Sequence, residues 1–479
     1  MIVMKFGGSS VADAERLRRV ADLVVAAQNL QPCVVVSAMG KTTNALFAAA
    51  NAARNGHLDE ALALVAAPLA HAESTARALL QEARSGLANE SLDAIDTMRR
   101  EIEVLLRGVT LLRELTLRTT DAIVAYGERI STRLLVMLLS ERDVPVAHVD
   151  ARRVLRTDDR FGAAVPHRAA IAKLAAEHVS PHLRAGAIVV TEGYVGATAE
   201  GHTTTLGRGG SDWSAALLGE ALRADEVQIW TDVEGVLTAD PRVVPGARPI
   251  PVLSPAEAAE LAAFGAKVLH PATMQPAVDA NVPITVRDTV HPGGAFTTID
   301  PRRGQPARSG IAALASRGPV TVLTMTSTRM LATSGYLARL FGEFGRLGIC
   351  VDLVVTAEVS VACTVEANAP IDQLVAALDG FASVDVSRDR AIVAAVGEGL
   401  HDEPNLIERA CRALGDVVPE LICFGGNDRN LSFVVGQQHA DTAVQRLHAE
   451  FFANAAAPRT ARLAPPRAAN HARHEESAP

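Results

Sequence analysis

Cysteine is scarce in this chain and shows no pairing pattern. Five cysteines are scattered through 479 residues, and none of them forms a C-x-x-C pair. An odd number at wide spacing argues against a zinc site and against a disulfide framework. The sequence therefore predicts buried free thiols.

Long apolar runs and an excess of positive charge are also missing. No apolar segment reaches the roughly 20 residues that a membrane-spanning helix requires, and residues 1–8 lack the features of a signal peptide. The formal net charge of -8 offers no general attraction to nucleic acid or to an anionic membrane. We expect a cytoplasmic protein that binds neither. The 48% of apolar and 21% of charged residues are typical of a globular chain, and its length suggests two to four domains.

A strand, a glycine loop and a helix follow one another around residues 203–214. Three threonines favour an extended strand, and three glycines then free the backbone: Gly207, Gly209 and Gly210. Ser211 is predicted to cap the helix at 215–222. Such a turn exposes amide groups at the positive end of a helix dipole, which suits an anion, although a connection without any ligand is the alternative. Arg208 and Asp212 favour a site for a small zwitterion or a phosphoryl group.

A lysine precedes a glycine pair at the end of the first predicted strand. Residues 2–6 are apolar except for Lys5, and Gly7 and Gly8 follow directly. A lysine in this position can meet a phosphate at the edge of a parallel sheet, or it can simply face water. A second lysine, Lys267, also lies near a glycine.

The alternation of elements predicts the fold. Strands alternate with helices over residues 1–300, which predicts an α/β domain with an open, mainly parallel sheet between helices. A linker is predicted at 301–314. Residues 315–390 and 391–458 each carry the order strand, helix, strand, strand, helix, which indicates two ferredoxin-like α+β modules, the second incomplete or sharing a strand. Residues 459–479 are expected to be disordered.

Several motifs, in this order, resemble those of aspartate kinases of the amino acid kinase superfamily. They are residues 5–11, residues 203–212, Thr231-Asp232, Asp240-Pro241-Arg242 and residues 264–271. The two predicted modules resemble tandem ACT domains, the regulatory modules of this family. Residues 330–331, 334–337 and 351–353 are most similar to the lysine-sensitive, single-function branch.

The resemblance implies transfer of the γ-phosphoryl group of ATP, with Mg2+, to the side-chain carboxylate of L-aspartate. The product would be 4-phospho-L-aspartate, in the first step of lysine, threonine and methionine biosynthesis. Such a step needs positioning and charge neutralisation more than a base. The catalytic residues implied are Lys5, Asp212 and Lys267. The substrate contacts implied are Thr43, Glu128, Arg208, Gly209, Gly210 and Ser211. The nucleotide contacts implied are Lys5, Phe6, Gly7, Gly8, Thr231, Asp232, Leu237, Arg242, Lys267 and Val268.

The family match also implies individual roles. Arg208 would bind the substrate α-carboxylate in a fork geometry that lysine cannot copy. Glu128 would face the substrate ammonium group, although a single glutamate on a predicted helix is ordinarily a surface residue. Asp212 is expected to organise Lys5 rather than to act as a base. Leu237 stands where the family commonly has an aromatic residue against the nucleotide.

The ACT resemblance implies inhibition by L-lysine and a homodimer or homotetramer formed through these domains. The effector contacts implied are Met330, Thr333, Gly335, Tyr336, Leu337, Val351, Asp352, Ala357 and Glu358. Thr333, Cys350 and Ala357 replace serines of the lysine-sensitive pattern, whereas the acidic Asp352 and Glu358 expected to meet a cationic effector are present.

Two other classes of function stay open. One is an amino acid kinase that acts on glutamate, a nucleoside monophosphate or carbamate. Arg208 with Glu128 favours an α-amino acid over these substrates, and the paired ACT modules favour aspartate. The other is a non-catalytic amino acid sensor, which the presence of Lys5, Arg208, Asp212 and Lys267 argues against.

Overall fold

The computed structural model describes residues 1–80, 87–265, 269, 271–302, 310–331 and 333–452. Lys267, Val268 and the predicted tail at 459–479 lie outside these residues. Within the described part of the chain, no helix combines the length and the apolar character needed to cross a membrane.

Residues 1–302 form a large sheet covered by helices. The strands of this sheet and of a short hairpin beside it are β1 (Ile2–Phe6), β2 (Pro32–Val36), β3 (Val146–His148), β4 (Ile188–Glu192), β5 (Val195–Ala197), β6 (Thr203–Thr205), β7 (Glu226–Thr231), β8 (Val252–Leu253), β9 (Ile284–Asp288) and β10 (Thr297–Ile299). The helices are α1 (Ala14–Ala26), α2 (Thr42–Arg54), α3 (Leu58–Leu80), α4 (Leu87–Leu112), α5 (Leu117–Val124), α6 (Tyr126–Ser140), α7 (Arg168–His178), α8 (Ser180–Arg184), α9 (Gly210–Ala221), α10 (Pro255–Ala263) and α11 (Pro271–Asp279). Short 3-10 helices occur at Gln28–Leu30 and Ala151–Arg153.

The sheet has eight strands in the order β3-β4-β2-β1-β7-β9-β10-β8. The six strands from β3 to β9 are parallel, and β10 pairs antiparallel with β9. β9 is therefore not an edge strand, because β10 covers its outer side. The carboxyl ends of β2, β1 and β7 meet at one edge of the sheet, with Phe6 between Val36 and Trp230.

Apolar side chains cover both faces of this sheet, as expected for buried parallel strands. Successive residues of β1 point to opposite sides. Val3 packs in the cluster that contains α9 and α11, while Met4 and Phe6 pack in the cluster that contains α1, α4 and α6. The predicted mainly parallel α/β architecture is confirmed.

A second, antiparallel sheet follows. Its strands are β11 (Gly310–Thr326), β12 (Val351–Thr356), β13 (Ser360–Glu366), β14 (Ser383–Glu398), β15 (Leu421–Phe424) and β16 (Asn430–Gly436). Its helices are α12 (Tyr336–Arg346), α13 (Ile371–Leu378), α14 (Leu406–Leu414) and α15 (Ala440–Phe452), with 3-10 helices at Thr328–Met330 and Gln437–His439. The strand order is β12-β13-β11-β14-β16-β15.

The two ferredoxin-like modules share the long strands β11 and β14. The end of β11 pairs with β13 and with the start of β14, which completes the first module. Residues 310–317 pair with residues 392–398, which gives the second module its missing strand. Residues 310–314 therefore belong to β11 and not to a linker, because the second module takes its outer strand from a segment that precedes the first.

Polar contacts join the two sheets through α10. The Ser254 hydroxyl donates to Glu398 Oε1 at 2.8 Å, and the Asn427 amide donates to Glu260 Oε1 at 2.8 Å. Since these bonds lie at both ends of α10, they hold the helix that precedes the predicted 264–271 motif against the second sheet.

All five cysteines are free. Cys33 and Cys363 are buried, as predicted, but Cys350 and Cys411 are exposed. The prediction of buried thiols is therefore wrong for these two positions, since neither side chain contributes to a core cluster.

Candidate active site

A cavity of about 450 Å³ lies beyond the carboxyl ends of β1 and β2, at the start of α9. It is lined by Lys5, Ser37, Thr43, Phe47, Glu128, Gly162, Tyr194, Gly207, Arg208, Gly209, Gly210, Ser211 and Asp212. All six residues predicted to bind the substrate line this cavity, together with Lys5 and Asp212. The sequence analysis missed the aromatic walls, Phe47 and Tyr194, because nothing in their local sequence marks them as cavity residues.

Lys5 and Asp212 form an ion pair inside this cavity. Lys5 Nζ lies 2.6 Å from Asp212 Oδ1, and the two side chains are only 11% and 18% exposed. Asp212 lies in the first turn of α9, where the helix dipole favours a negative charge. The pair joins the end of the central strand to the start of this helix, so each charge positions the other.

The glycine loop adopts a backbone that other residues rarely tolerate. Gly207 and Gly209 have φ angles of 75° and 72°, the left-handed region that favours glycine. Gly209 occupies the N-cap position and α9 begins at Gly210. The prediction that Ser211 caps a helix at 215–222 is wrong, because the left-handed turn starts the helix earlier and places Ser211 in its first turn.

Glu128 is a buried side chain in which only one of the two carboxyl oxygens has a hydrogen-bond partner. It is 4% exposed, and its Oε1 accepts the Ala38 amide at 3.2 Å. Among the described residues, its Oε2 has no hydrogen-bond partner. Burial raises the pKa of Glu128 to about 8, the Ala38 amide opposes this, and the nearby Glu192 charge adds to it. A cation entering the cavity would favour the ionised form of Glu128, whose Oε2 could then accept from it.

A break in the helix brings Glu128 to this position. The helical segment divides into α5 and α6, which are separated at Ala125. Gly127 then lies so close to the turn after β2 that an added Cβ would be 2.9 Å from the Ala38 side chain. The first turn of α6 therefore packs directly on that turn, which buries Glu128.

In the turn after β1, the Gly7 amide and the Phe6 side chain, both predicted to contact the nucleotide, are engaged by other residues. The Gly7 amide donates to the Trp230 carbonyl at 3.2 Å, so it is not available to a phosphate. A Cβ on Gly8 would lie 2.7 Å from the Ala38 carbonyl oxygen, so only glycine fits there. Phe6 is fully buried and stacks on the Trp230 ring at 6.0 Å, so its side chain packs in the core rather than in the cavity.

Four other predicted nucleotide contacts belong to the described residues: Thr231, Asp232, Leu237 and Arg242. Thr231 is the last residue of β7, and its hydroxyl donates to Asp232 Oδ1 at 3.1 Å. Leu237 forms an isolated bridge with Pro249. The Arg242 side chain is 76% exposed and pairs with Asp240 at 2.5 Å. The structure therefore places Arg242 on the surface with its charge already paired.

Asp121 is a buried carboxylate that the sequence analysis missed. It is 1% exposed and accepts three hydrogen bonds: from the Gly162 amide at 2.9 Å, the Thr205 amide at 2.9 Å and the Thr205 hydroxyl at 2.8 Å. Burial raises its pKa, and these donors oppose the shift. Asp121 thus ties α5 to β6 and to the cavity wall at Gly162. The available signal was a single acid in an otherwise apolar helical stretch, Asp121 to Ala125.

The predicted effector residues lie on the first ferredoxin-like module. Met330 ends a 3-10 helix, Thr333 and Gly335 precede α12, Tyr336 and Leu337 begin it, Val351 and Asp352 begin β12, and Ala357 and Glu358 form the exposed turn after it. Two of these side chains already have partners. Asp352 pairs with Arg317 at 2.8 Å, and Tyr336 stacks on Phe381 with ring centroids 4.5 Å apart.

The fold and the cavity define an amino acid kinase that carries paired regulatory modules. The amino acid kinase family matches residues 1–288, and an ACT domain matches residues 393–451. The chain belongs to this family and, within it, to the aspartokinases.

Individual relatives support this assignment. The chain is 40% identical to lysine-sensitive aspartokinase 3 of Escherichia coli, over 94% of this chain and 99% of that protein. The crystal structure of E. coli aspartokinase III with lysine and aspartate, described as the T-state, is similar with a TM-score of 0.78 and 39% identity, and covers 94% of this chain and 99% of that one. The complex with aspartate and ADP, described as the R-state, has a TM-score of 0.79 and 38% identity, with 94% and 100% covered.

Proposed function

We propose that this protein is an aspartate kinase, which transfers the γ-phosphoryl group of ATP to the side-chain carboxylate of L-aspartate. The observation that carries this proposal is one cavity that holds the Lys5–Asp212 ion pair, the half-satisfied Glu128 and the Arg208 guanidinium. These groups complement a substrate with one cationic and two anionic ends. The E. coli relative, solved with aspartate and with ADP, supports the same pair of ligands.

On the substrate side, the amino acid is held by complementary charge. Glu128 Oε2 would accept the substrate ammonium group, since a buried carboxylate without a partner gains most from a cation. Arg208, exposed at the mouth of the cavity, would bind the α-carboxylate through its fork. Thr43 and the residues after Arg208 would complete the enclosure. The side-chain carboxylate is thereby directed toward Lys5.

On the phosphate side, the chemistry is charge neutralisation. A carboxylate is already nucleophilic at neutral pH, and its obstacle is repulsion from the ATP phosphates. Lys5 would neutralise part of that charge, while Asp212 holds its ammonium group at the end of β1. The Gly8 turn, closed to side chains, would let the phosphates approach the backbone. Thr231, Asp232 and Lys267 are proposed to lie along the nucleotide.

Mg2+ would enter with the nucleotide and supply further charge neutralisation. This ion is usually held by substrate phosphates, water and one or two carboxylates. The Asp212 side chain, which lines the cavity and is 18% exposed, fits as the protein carboxylate of such a set.

We also propose that L-lysine inhibits the enzyme through the first ACT module, as the name of the lysine-sensitive E. coli relative suggests. The acidic Asp352 and Glu358 suit a cationic effector. Assembly into a homodimer or homotetramer and a cytoplasmic location stay predictions.

The decisive assay is ATP consumption with L-aspartate, L-glutamate or UMP offered separately, with hydroxylamine to trap an acyl phosphate. We expect aspartate-dependent hydroxamate in the presence of Mg2+, and its loss in a Lys5→Met variant. Hydroxamate with glutamate alone, or turnover with UMP alone, would identify another kinase of the family. Aspartate binding without any product would identify a sensor.

A further inference from the structure

A second cavity, of about 210 Å³ and lined mainly by ionisable residues, lies on another face of α6 from the one that carries Glu128. The walls come from α4, α6, β4, the end of β3 and the segment after it. The lining residues are Ala94, Met98, Arg129, Arg133, His148, Asp150 and Glu192. None of them belongs to the proposed aspartate or ATP contacts.

The acidic groups of this cavity already have partners. Asp150 is bound by the Arg152 guanidinium, at 3.0 Å from Nε to Oδ1 and 2.5 Å from Nη2 to Oδ2. Glu192, 2% exposed, accepts the Ala151 amide at 2.8 Å and lies 2.7 Å from His148 Nε2. Their negative charge is therefore largely neutralised.

The basic groups are less completely paired, and Arg133 least of all. Arg133 Nε is buried and has no hydrogen-bond partner among the described residues. The Arg129 guanidinium lies over the Tyr126 ring, 4.4 Å from its centroid, and 3.9 Å from a Glu101 carboxylate oxygen, a loose ion pair without a hydrogen bond. Since Arg129 and Arg133 are four residues apart on α6, they are neighbours on one face of the helix. Both side chains line the cavity.

His148 adds to this positive character. Burial lowers the pKa of His148, but the hydrogen bond to Glu192 and the charges of Glu192 and Asp150 together leave the pKa above its ordinary value, while Arg133 opposes protonation. The cavity therefore has two guanidinium groups, one of them with an unsatisfied N–H, beside an acid and a histidine that satisfy each other.

We propose that this cavity binds a small oxyanion, of the size of inorganic phosphate, between Arg129 and Arg133. Guanidinium groups match the geometry of phosphate oxygens and form strong charge-assisted hydrogen bonds with them. A larger ligand does not fit, because sites for drug-sized molecules, such as nucleotides, occupy about 300 Å³ or more. The turn at Gly7 and Gly8 after β1, which we propose to lie beside the ATP phosphates, does not line this cavity.

Direct binding measurements test this proposal without turnover. The full-length protein is titrated with inorganic phosphate by calorimetry, at constant ionic strength against chloride. A saturating non-hydrolysable ATP analogue is present, so that the active-site phosphate region is occupied. We expect one saturable phosphate per chain, weakened roughly tenfold or more by Arg133→Gln, since this removes one charge-assisted contact.

Matched variants separate this cavity from other basic surfaces. Arg100→Gln removes an arginine that is 66% exposed on α4 and should leave phosphate affinity unchanged. Met98→Glu leaves both arginines in place but puts a carboxylate into the cavity wall, so it should abolish binding even if Arg133→Gln does not fold. No saturable binding to the wild-type protein, or equal binding by the wild-type protein and Met98→Glu, would overturn the proposal.

Titration with ADP in place of phosphate, with the ATP analogue still present, identifies the source of the oxyanion. We expect no ADP binding in this second site. An ADP affinity that falls in Met98→Glu would show that the cavity accepts a nucleotide phosphate, and would refute the size argument.

Discussion

Aspartate binding should release a proton from Glu128. With a pKa of about 8, roughly nine in ten free chains hold this proton at pH 7. A substrate ammonium group beside the carboxylate lowers a pKa by about 1 to 3 units, so many of these chains lose the proton on binding. We expect about 0.4 to 0.9 proton released per aspartate at pH 7, and about 0.8 for a shift of two units.

The pH dependence of aspartate affinity follows from the difference in the Glu128 pKa between the free protein and the complex. The free protein binds more protons than the complex does, so affinity for aspartate rises with pH, by at most about tenfold per unit, and levels off above about pH 8.

The free energy of unfolding changes with pH in the opposite direction. Because the folded pKa of about 8 exceeds the ordinary value of 4.5, the unfolded chain binds fewer protons between these values. Stability therefore falls as pH rises through this window, by roughly 5 kcal/mol in all.

Calorimetry in buffers of different ionisation enthalpy measures the released proton. Glu128→Gln keeps the shape of the side chain but cannot titrate, so its binding heat should not depend on the buffer. Loss of the charged contact should also weaken aspartate binding by about 10- to 100-fold. Arg208→Lys is the matched control, since it should weaken binding and still release the proton. Buffer-independent heats in the wild-type protein, or equal proton release in Glu128→Gln, would refute this reasoning.

Three further outcomes are expected. Arg208→Lys should raise the KM for aspartate by about 10-fold or more with the KM for ATP unchanged, because only the fork to the α-carboxylate is lost; equal changes in both constants would contradict that role. Thr205→Val removes one hydrogen bond to Asp121 and should cost about 1 kcal/mol in urea unfolding, whereas Asp121→Ala leaves three donors without their acceptor and should cost about 2 kcal/mol or more; equal losses would disprove the contribution of the backbone donors. Asp352→Ala should relieve inhibition by L-lysine in the hydroxamate assay, and a wild-type rate unchanged by saturating lysine would remove the effector assignment.

The local sequence was sufficient for most elements of the fold. The runs at β1, β2 and β4 are apolar on both faces, so they predict buried parallel strands wherever they fall in the chain. The ferredoxin-like order was also predictable, because each strand and helix there has its own periodicity. Strand sharing was not, since the pairing of residues 310–317 with 392–398 joins segments about 80 residues apart.

The candidate site also contains residues that local sequence indicates and residues whose role depends on other strands. Lys5, Arg208 and Asp212 lie beside or close to glycines in sequence, so their local motifs alone are enough to indicate site residues. The uses of Gly7 and Phe6 were decided by Trp230, a residue of another strand.

The sequence by itself determined which strands, turns and charged groups this aspartokinase has, because backbone preference and apolar periodicity act over a few neighbouring residues. Only the tertiary structure decided how deeply those groups are buried and which hydrogen bonds they form. Glu128 is an ordinary helical glutamate until α6 packs against the turn after β2, and Asp121 has no acceptor role until β6 and Gly162 reach it. Burial and hydrogen bonding are properties of the assembled neighbours, and these set the charge of the site.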